Sequence, residues 1–471
     1  MESAELHFLP IAEVADRIYR RELSPVELVQ HTLQRIEALE PKLHSFLTVL
    51  GERALAEARL AQEEILAGKP RGPLHGVPVG IKDLCAVRNV PTSCGSRILA
   101  DNVPAYNSTV VDRLTAAGAI VIGKLNMTEF AATGYHPDYT APHNPWDIER
   151  WPGLSSSGSG AATAAGLCYG ATGTDTGGSI RLPSASCGVV GIKPTFGRVS
   201  RHGVVPLSHS LDHVGPMART VRDAAIMLGV MAGADPHDVT ATQSPVDDYM
   251  SALAHGIDGL RIGYDESYAT TGVADDVVEA IEEALKVLAS RGAVIVPVQI
   301  GSLASVMDAS LTIFLADIAN AHREYWPEHA DAYGVAMRGV LESAGNLTAV
   351  DYSVAHETRL EWRGRLAQLF SEVDTLICPS LAQTAPLLGD RSDEMELVSG
   401  SAQFTIPFNL GGHPTISVPC GLSAEGLPIG LQLVAQAYEE SLLLSVAHEY
   451  ERATPWHLQH PSDPDLSLIH I

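Results

Sequence analysis

The run DVVEAIEEALKVLASRG, residues 276–292, passes directly into AVIVPV, residues 293–298, and that junction decides the fold class. The first part carries apolar residues at helical spacing and ends on Gly292, whereas the second is a short β-branched strand. The same order recurs at 108–123, where a helical stretch meets Gly118 and then AIVIG. Helix alternating with strand predicts an α/β fold in which helices cover both faces of a sheet. At 471 residues the chain has the length for one large unit of this kind, or for up to three domains at roughly 150 residues each.

Working outward, SPVELVQHTLQRIEAL at 24–39 has Ser24 as N-cap, Pro25 at the first helical position and Glu27 three residues after the cap, which predicts a capping box on an amphipathic helix. A helical stretch at about 52–67 leads through Gly68 to HGVPVGIKDL, 75–84, a strand meeting a tight loop with Lys82 at the junction. Toward the other end, FTIPFNLGGHPTISVPCG, 404–421, and LPIGLQLVA, 427–435, alternate like strands and are expected to pair into the sheet begun earlier.

Hydrophobic residues make up 45% of the chain but aromatics only 6%, with 41 glycines, so the interior relies on close approach of small side chains. The formal charge of −25 would repel a polyanion, which argues against nucleic acid as a ligand. The cysteines at 85, 94, 168, 187, 378 and 420 form no Cys-x-x-Cys pair and are read as reduced core thiols. MESAELHFLPIAEVADR places acids where a secretory signal needs a basic start, and no stretch of 18 strongly apolar residues is found, so a cytoplasmic protein without a membrane span is expected.

Two apparent motifs fail on inspection. Gly118 to Lys124 fits Gly-x4-Gly-Lys, but Leu125 follows and an apolar strand fills the would-be phosphate loop. His202, His209 and His213 are separated by Pro206, do not share a helix face, and are read as solvent-facing or capping, so no metal site is expected. Residues 153–191 are different, being rich in Gly, Ser, Ala and Thr with almost no charge before Asp175 and Arg181. They offer a cluster of hydroxyls and then a Gly-Gly-Ser turn whose backbone N–H groups could converge on an oxyanion. No Gly-x-Ser-x-Gly elbow and no Ser-x-x-Lys is present, so a nucleophilic serine needs its base from elsewhere. Of six lysines, Lys82 lies in an apolar, glycine-flanked strand end where desolvation favours the neutral amine.

The strings GVPVGIKDL (76–84), PGLSSSGSGAATAAG (152–166), GTDTGGSIRLPSASCGVVGIKPTFGRVSRHGVVPLSHSLDHVGPMART (173–220), FTIPFNLGGHPTISVPCG and GLPIGLQLV resemble, in order and interval, the amidase signature family. The resemblance spans most of residues 10–455. It implies a single large α/β/α domain with a mixed, twisted central sheet, and a Ser-cisSer-Lys triad in which Ser179 is the nucleophile, Ser155 the bridging serine and Lys82 the base. The interval of 24 residues between the two serines matches the family and selects Ser155 over its neighbours, leaving Ser156 as a secondary contact of Lys82. By the same resemblance the oxyanion hole is the backbone N–H groups around Thr176, Gly177, Gly178 and Ser179, Asp175 and Arg181 buttress the turn, and no metal or organic cofactor is required. One departure stands out: Leu154 precedes the bridging serine where the family usually has Gly, joined to it by a cis peptide, and Ser157 replaces another usual Gly. Asp83, adjacent to Lys82 in a strand, is expected to face the opposite way.

The resemblance divides the chain into an N-terminal helical segment (1–70), a signature core (71–235), a variable, mostly helical substrate-side region (236–400), C-terminal strands and helix completing the core (401–460), and a tail (461–471). The activity implied is hydrolysis of amide C–N bonds, including aryl amides or carbamates (urethanes). The alternative is the amidase subunit of a tRNA-dependent glutamine amidotransferase. The segment AATGYHPDYTAPH, 131–143, looks shorter than the amidotransferase loop and favours the hydrolase. Gly134 and Tyr135, following a helix ending near Phe130, are expected to line the acyl site. The expected partner is a small-molecule amide or carbamate, with neither nucleic acid nor membrane, and with a homodimer as an option. The last six residues, LSLIHI, resemble a translated sequencing adaptor, which would make the gene a metagenomic fragment; otherwise they form a short tail docked on the body.

Overall fold

The computed structural model describes residues 3–388 and 391–462, so the reading of Leu466 to Ile471 lies outside the described residues. Eleven strands form one mixed sheet: β1 (Phe46–Val49), β2 (Pro78–Lys82), β3 (Ile120–Leu125), β4 (Gly170–Asp175), β5 (Val190–Lys193), β6 (His213–Ala218), β7 (Arg261–Tyr264), β8 (Val294–Pro297), β9 (Thr375–Pro379), β10 (Thr415–Leu422) and β11 (Pro428–Ala435). Their spatial order is β1-β3-β2-β4-β6-β5-β10-β11-β9-β7-β8. β3, β2 and β4 run parallel, as do β9, β7 and β8, with antiparallel strands between the two groups. Helices cover both faces, which is why β2, β3 and β4 are buried along their whole length and are built of apolar or small residues up to the charged Lys82, Lys124 and Asp175 near their ends. Close approach decides the small residues: a Cβ on Gly80 would come within 2.5 Å of the Leu125 side chain.

The helix after Ser24 is Pro25–Leu43, and both hydrogen bonds of its capping box form. Its apolar face packs with the helix Gly51–Leu66 over β3 and β4. The C-terminal strands join the sheet as expected, β10 pairing with β5. Two expectations need correction. FTIPFNLGG is not a strand but the end of the helix Arg391–Gly411; Phe404 and Phe408, four apart and fully buried, share a helical face that period-two alternation also fits. The region 236–400 is mostly helical, yet it also supplies β7, β8 and β9.

Among the described residues, one helix, Ala304–Ala321, is long and apolar enough to cross a membrane by length and composition alone. It packs against the helices Val335–Ala344, Ala349–Glu372 and Arg391–Gly411. Its Asp317 carboxylate accepts hydrogen bonds from the Ser208 and Ser210 hydroxyls, both at 2.6 Å.

Candidate active site

Lys82 ends β2 and Thr174 and Asp175 end the neighbouring parallel β4, so the two carboxyl ends open side by side. Such a junction is where α/β sheets gather functional groups. The Lys82 amine is fully buried and donates to three hydroxyl oxygens: Ser155 Oγ at 2.8 Å, Ser156 Oγ at 2.8 Å and Thr174 Oγ1 at 2.7 Å. Burial pushes its pKa down to about 7, although Cys85, Asp175, Asp212 and Cys94 each act to raise it. Asp83 does not face the amine. Its carboxylate accepts from Lys124 Nζ at 2.8 Å and from the Ser93 and Cys94 N–H groups at 2.9 and 2.7 Å.

Ser155 precedes the helix Ser157–Ala164 and is fully buried. The expected cis peptide before it is absent, since the one cis bond among the described residues is Trp326–Pro327. The chain turns instead through Ser155 itself, at φ +26°, with Ser156 N–H donating to Leu154 O at 2.9 Å. This conformation is strained for an L residue. The Leu154 side chain, which the family pattern does not provide for, packs beside Trp151, Leu182 and Leu381.

Ser179 lies in the turn between β4 and the helix Arg181–Cys187. Its hydroxyl has no hydrogen-bond partner among the described residues, so the structure brings Lys82 to Ser155 but does not close a bond from Ser155 to Ser179. The turn is held by Asp175, whose carboxylate accepts from Arg181 Nε and Nη2, Asn409 Nδ2, Gly178 N–H and Ile180 N–H at 2.8 to 3.1 Å. Burial alone would raise the Asp175 pKa, but the Arg181 guanidinium outweighs it and holds the carboxyl well below the usual range. Gly178 sits at φ +132° with no room for a side chain, a Cβ meeting Thr405 Oγ1 at 2.9 Å. Its N–H is taken by the Asp175 carboxylate. In this turn the N–H groups of Thr176, Gly177 and Ser179 have no acceptor among the described residues.

Arg181→Ala would strand the fully buried Asp175 carboxylate, and a loss of about 3–5 kcal/mol is expected. Urea denaturation would measure it, and a loss below about 1 kcal/mol would mean that the pair does not hold the turn.

Tyr135 donates to Ser157 Oγ at 2.7 Å, two residues beyond Ser155, and the Gly134 carbonyl accepts from Glu129 N–H at 2.9 Å. The predicted helix before them is only a 3-10 turn, Glu129–Ala131, broken by Phe130 at φ +51°. Thr176 Oγ1 donates to Asp212 at 2.6 Å. His202 and His209 are exposed, but His213 is buried on β6 opposite Asp175, not solvent-facing; burial keeps it neutral. All three line one cavity of about 350 Å³ that also touches Thr174 and Asp212. Among the described residues, no cluster of His, Cys, Asp or Glu has metal-holding geometry.

Thr174, Asn409 and Gln432 were not singled out in the sequence. Gln432 accepts from Arg181 at 2.9 Å. Each is a buried polar residue inside a quoted apolar or glycine-rich run, which is the signal that could have found it.

The amidase family model matches residues 27–444. The chain belongs to the amidase signature family. "Putative amidase AmiD" of Mycobacterium tuberculosis is 44% identical over 457 residues, covering 96% of each chain. A glutamyl-tRNA(Gln) amidotransferase subunit of Thermosynechococcus vestitus is 41% identical over 477 residues, covering 96% of this chain and 99% of the relative. Among solved structures, a bacterial aryl acylamidase of the amidase signature family superimposes with a TM-score of 0.88 at 27% identity, covering 96% of this chain and 98% of that one.

Proposed function

We propose that this chain is a free-standing hydrolase of carboxamides, aryl amides and carbamates among them, acting through an acyl-enzyme on Ser179. The observation that carries the reading is the Lys82 amine, fully buried and bonded only to hydroxyls, with the adjacent Asp83 diverted to Lys124. Lys82 takes the Ser155 proton while Ser155 takes that of Ser179, so no free alkoxide forms before attack. The Thr176, Gly177 and Ser179 N–H groups hold the tetrahedral oxyanion. The relay then returns a proton to the leaving amine, and water cleaves the ester. The missing Ser155–Ser179 bond fits a relay that tightens when substrate arrives. Gly134 and Tyr135 flank the acyl group, the phenol ring favouring apolar or aryl substituents.

The formal charge of −25 supports a small-molecule substrate over nucleic acid, and six free, buried cysteines support a reducing, cytoplasmic setting. The chain is taken to act alone or as a homodimer. The amidotransferase relatives at about 40% identity favour a second reading, release of ammonia from glutamine for a partner subunit. The isolated chain is expected to turn over an anilide and to leave glutamine largely intact. Turnover of glutamine with none of the anilide would overturn the hydrolase reading.

A further inference from the structure

The Lys82 amine meets more hydroxyl oxygens than its neutral form has hydrogens. Ser156 Oγ accepts from Lys82 Nζ and from Thr174 N–H at 3.2 Å, and donates its hydrogen to Thr174 O at 3.1 Å. Its capacity of two lone pairs and one hydrogen is therefore full. Ser156 can only accept from the amine and cannot pass a proton. Ser155 Oγ has Lys82 Nζ as its one partner among the described residues. Neutral Lys82 has two hydrogens and one lone pair for three oxygens. Ser156 takes one hydrogen, and Ser155 must meet the lone pair if it is to give up its proton. The second hydrogen then belongs to Thr174 Oγ1 at 2.7 Å. No acceptor within the described residues claims the hydrogen of Thr174 Oγ1, so its oxygen is free to accept from the amine.

We infer that Thr174 is a positioning residue of the relay: its hydroxyl oxygen fixes one Lys82 hydrogen so that the lone pair faces Ser155, and with Ser156 and Ser155 it supplies the three acceptors of the ammonium. This rests on the proposed Ser179–Ser155–Lys82 reading. In the step concerned, the Ser155 O–H bond breaks as a third N–H bond forms on Lys82. The Ser179 O–H bond breaks as Ser155 is reprotonated, the freed electron pair on Ser179 Oγ forms the bond to the carbonyl carbon, and the C=O π pair moves onto the carbonyl oxygen as the oxyanion. The ammonium is then held by three hydroxyls and no carboxylate. Charged and titratable groups around it are Asp175 on β4, Asp212 on the loop entering β6, Cys85 and Cys94 beyond β2, and Lys124 on β3, whose charge is spent on Asp83.

Thr174→Val keeps the shape and removes the acceptor, whereas Thr174→Ser keeps the acceptor. The readouts are the pH profile of kcat/KM on an anilide and that of Ser179 labelling by a fluorophosphonate, which does not depend on the choice of amide. The Val variant is expected to lose about 10-fold to 100-fold in the plateau rate, the weight of one hydrogen bond to a charged group, and its acidic limb should move about one pH unit lower. The Ser variant should recover both. A Val variant with the wild-type limb overturns the inference, whatever its rate. So does failure of Ser to restore the limb. Ser179→Ala and Lys82→Met run in parallel separate the two levels: if either remains active, the relay itself is wrong; if both are dead while the Val limb stays put, only the role of Thr174 is wrong.

Discussion

Ser179→Ala is expected to fold normally and to lose amide turnover by about 10⁴-fold or more. The Ser179 hydroxyl has no hydrogen-bond partner among the described residues, so removing it strands no buried group, and stability should stay within about 0.5 kcal/mol of wild type. The same isolation makes it the free hydroxyl at the mouth of the turn: Ser155, Ser156 and Thr174 all face Lys82 Nζ at 2.7 to 2.8 Å. Turnover of an anilide, the mass of the chain after fluorophosphonate treatment and a urea melt would check both halves. Near-wild-type turnover, or a mass adduct retained in the Ala variant, would remove Ser179 as the nucleophile. A large loss of stability would mean that the hydroxyl is structural after all.

The groups that meet at this site were legible to different degrees, for physical reasons. Alternation of helix and strand at 108–123 and 276–298 predicted the layered sheet, because one apolar face per element leaves few ways to pack. The same rule failed at FTIPFNLGG, where Phe404 and Phe408 satisfy both a four-residue and a two-residue period, so periodicity alone cannot separate a buried helix end from a strand. Lys82 could be singled out because a lysine in an apolar run must be paired or neutral. Asp83 was assigned to the far side by strand alternation, but its partner Lys124 comes from β3, 41 positions on, and no local pattern announces it. The family resemblance counts Gly178 among the oxyanion donors. Only the three-dimensional turn reveals that the Asp175 carboxylate takes its N–H first. Asn409 and Gln432 reach Arg181 from 228 and 251 residues away, which is the part of the site that sequence spacing carries least.

Lys82→Met is expected to abolish the chemical step while changing the stability of the chain in a direction opposite to ordinary damage. The active form is the neutral amine, and burial brings its pKa down to about 7 from the ordinary lysine value of 10.5. The wild-type kcat/KM should therefore rise with pH through about 7 and level off above it, and the Met variant should show no such limb, with a loss of several orders of magnitude. The sign for stability follows from the same shift. Native Lys82 releases its proton near 7 while the unfolded chain holds it to about 10.5, so between those values the unfolded state binds more protons and wild-type stability rises with pH. Below about 7 both states are protonated, and the buried charge weighs fully against the fold. Against this background the Met variant should be relatively most stable at about pH 6, and its advantage over wild type should shrink as pH climbs toward 10. Urea midpoints of the two proteins at about pH 6 and 9, alongside the rate profile, test both signs. A stability difference that does not move with pH would mean that Lys82 keeps its proton in the native protein. The amine could then not serve as the base, whatever its distance from Ser155.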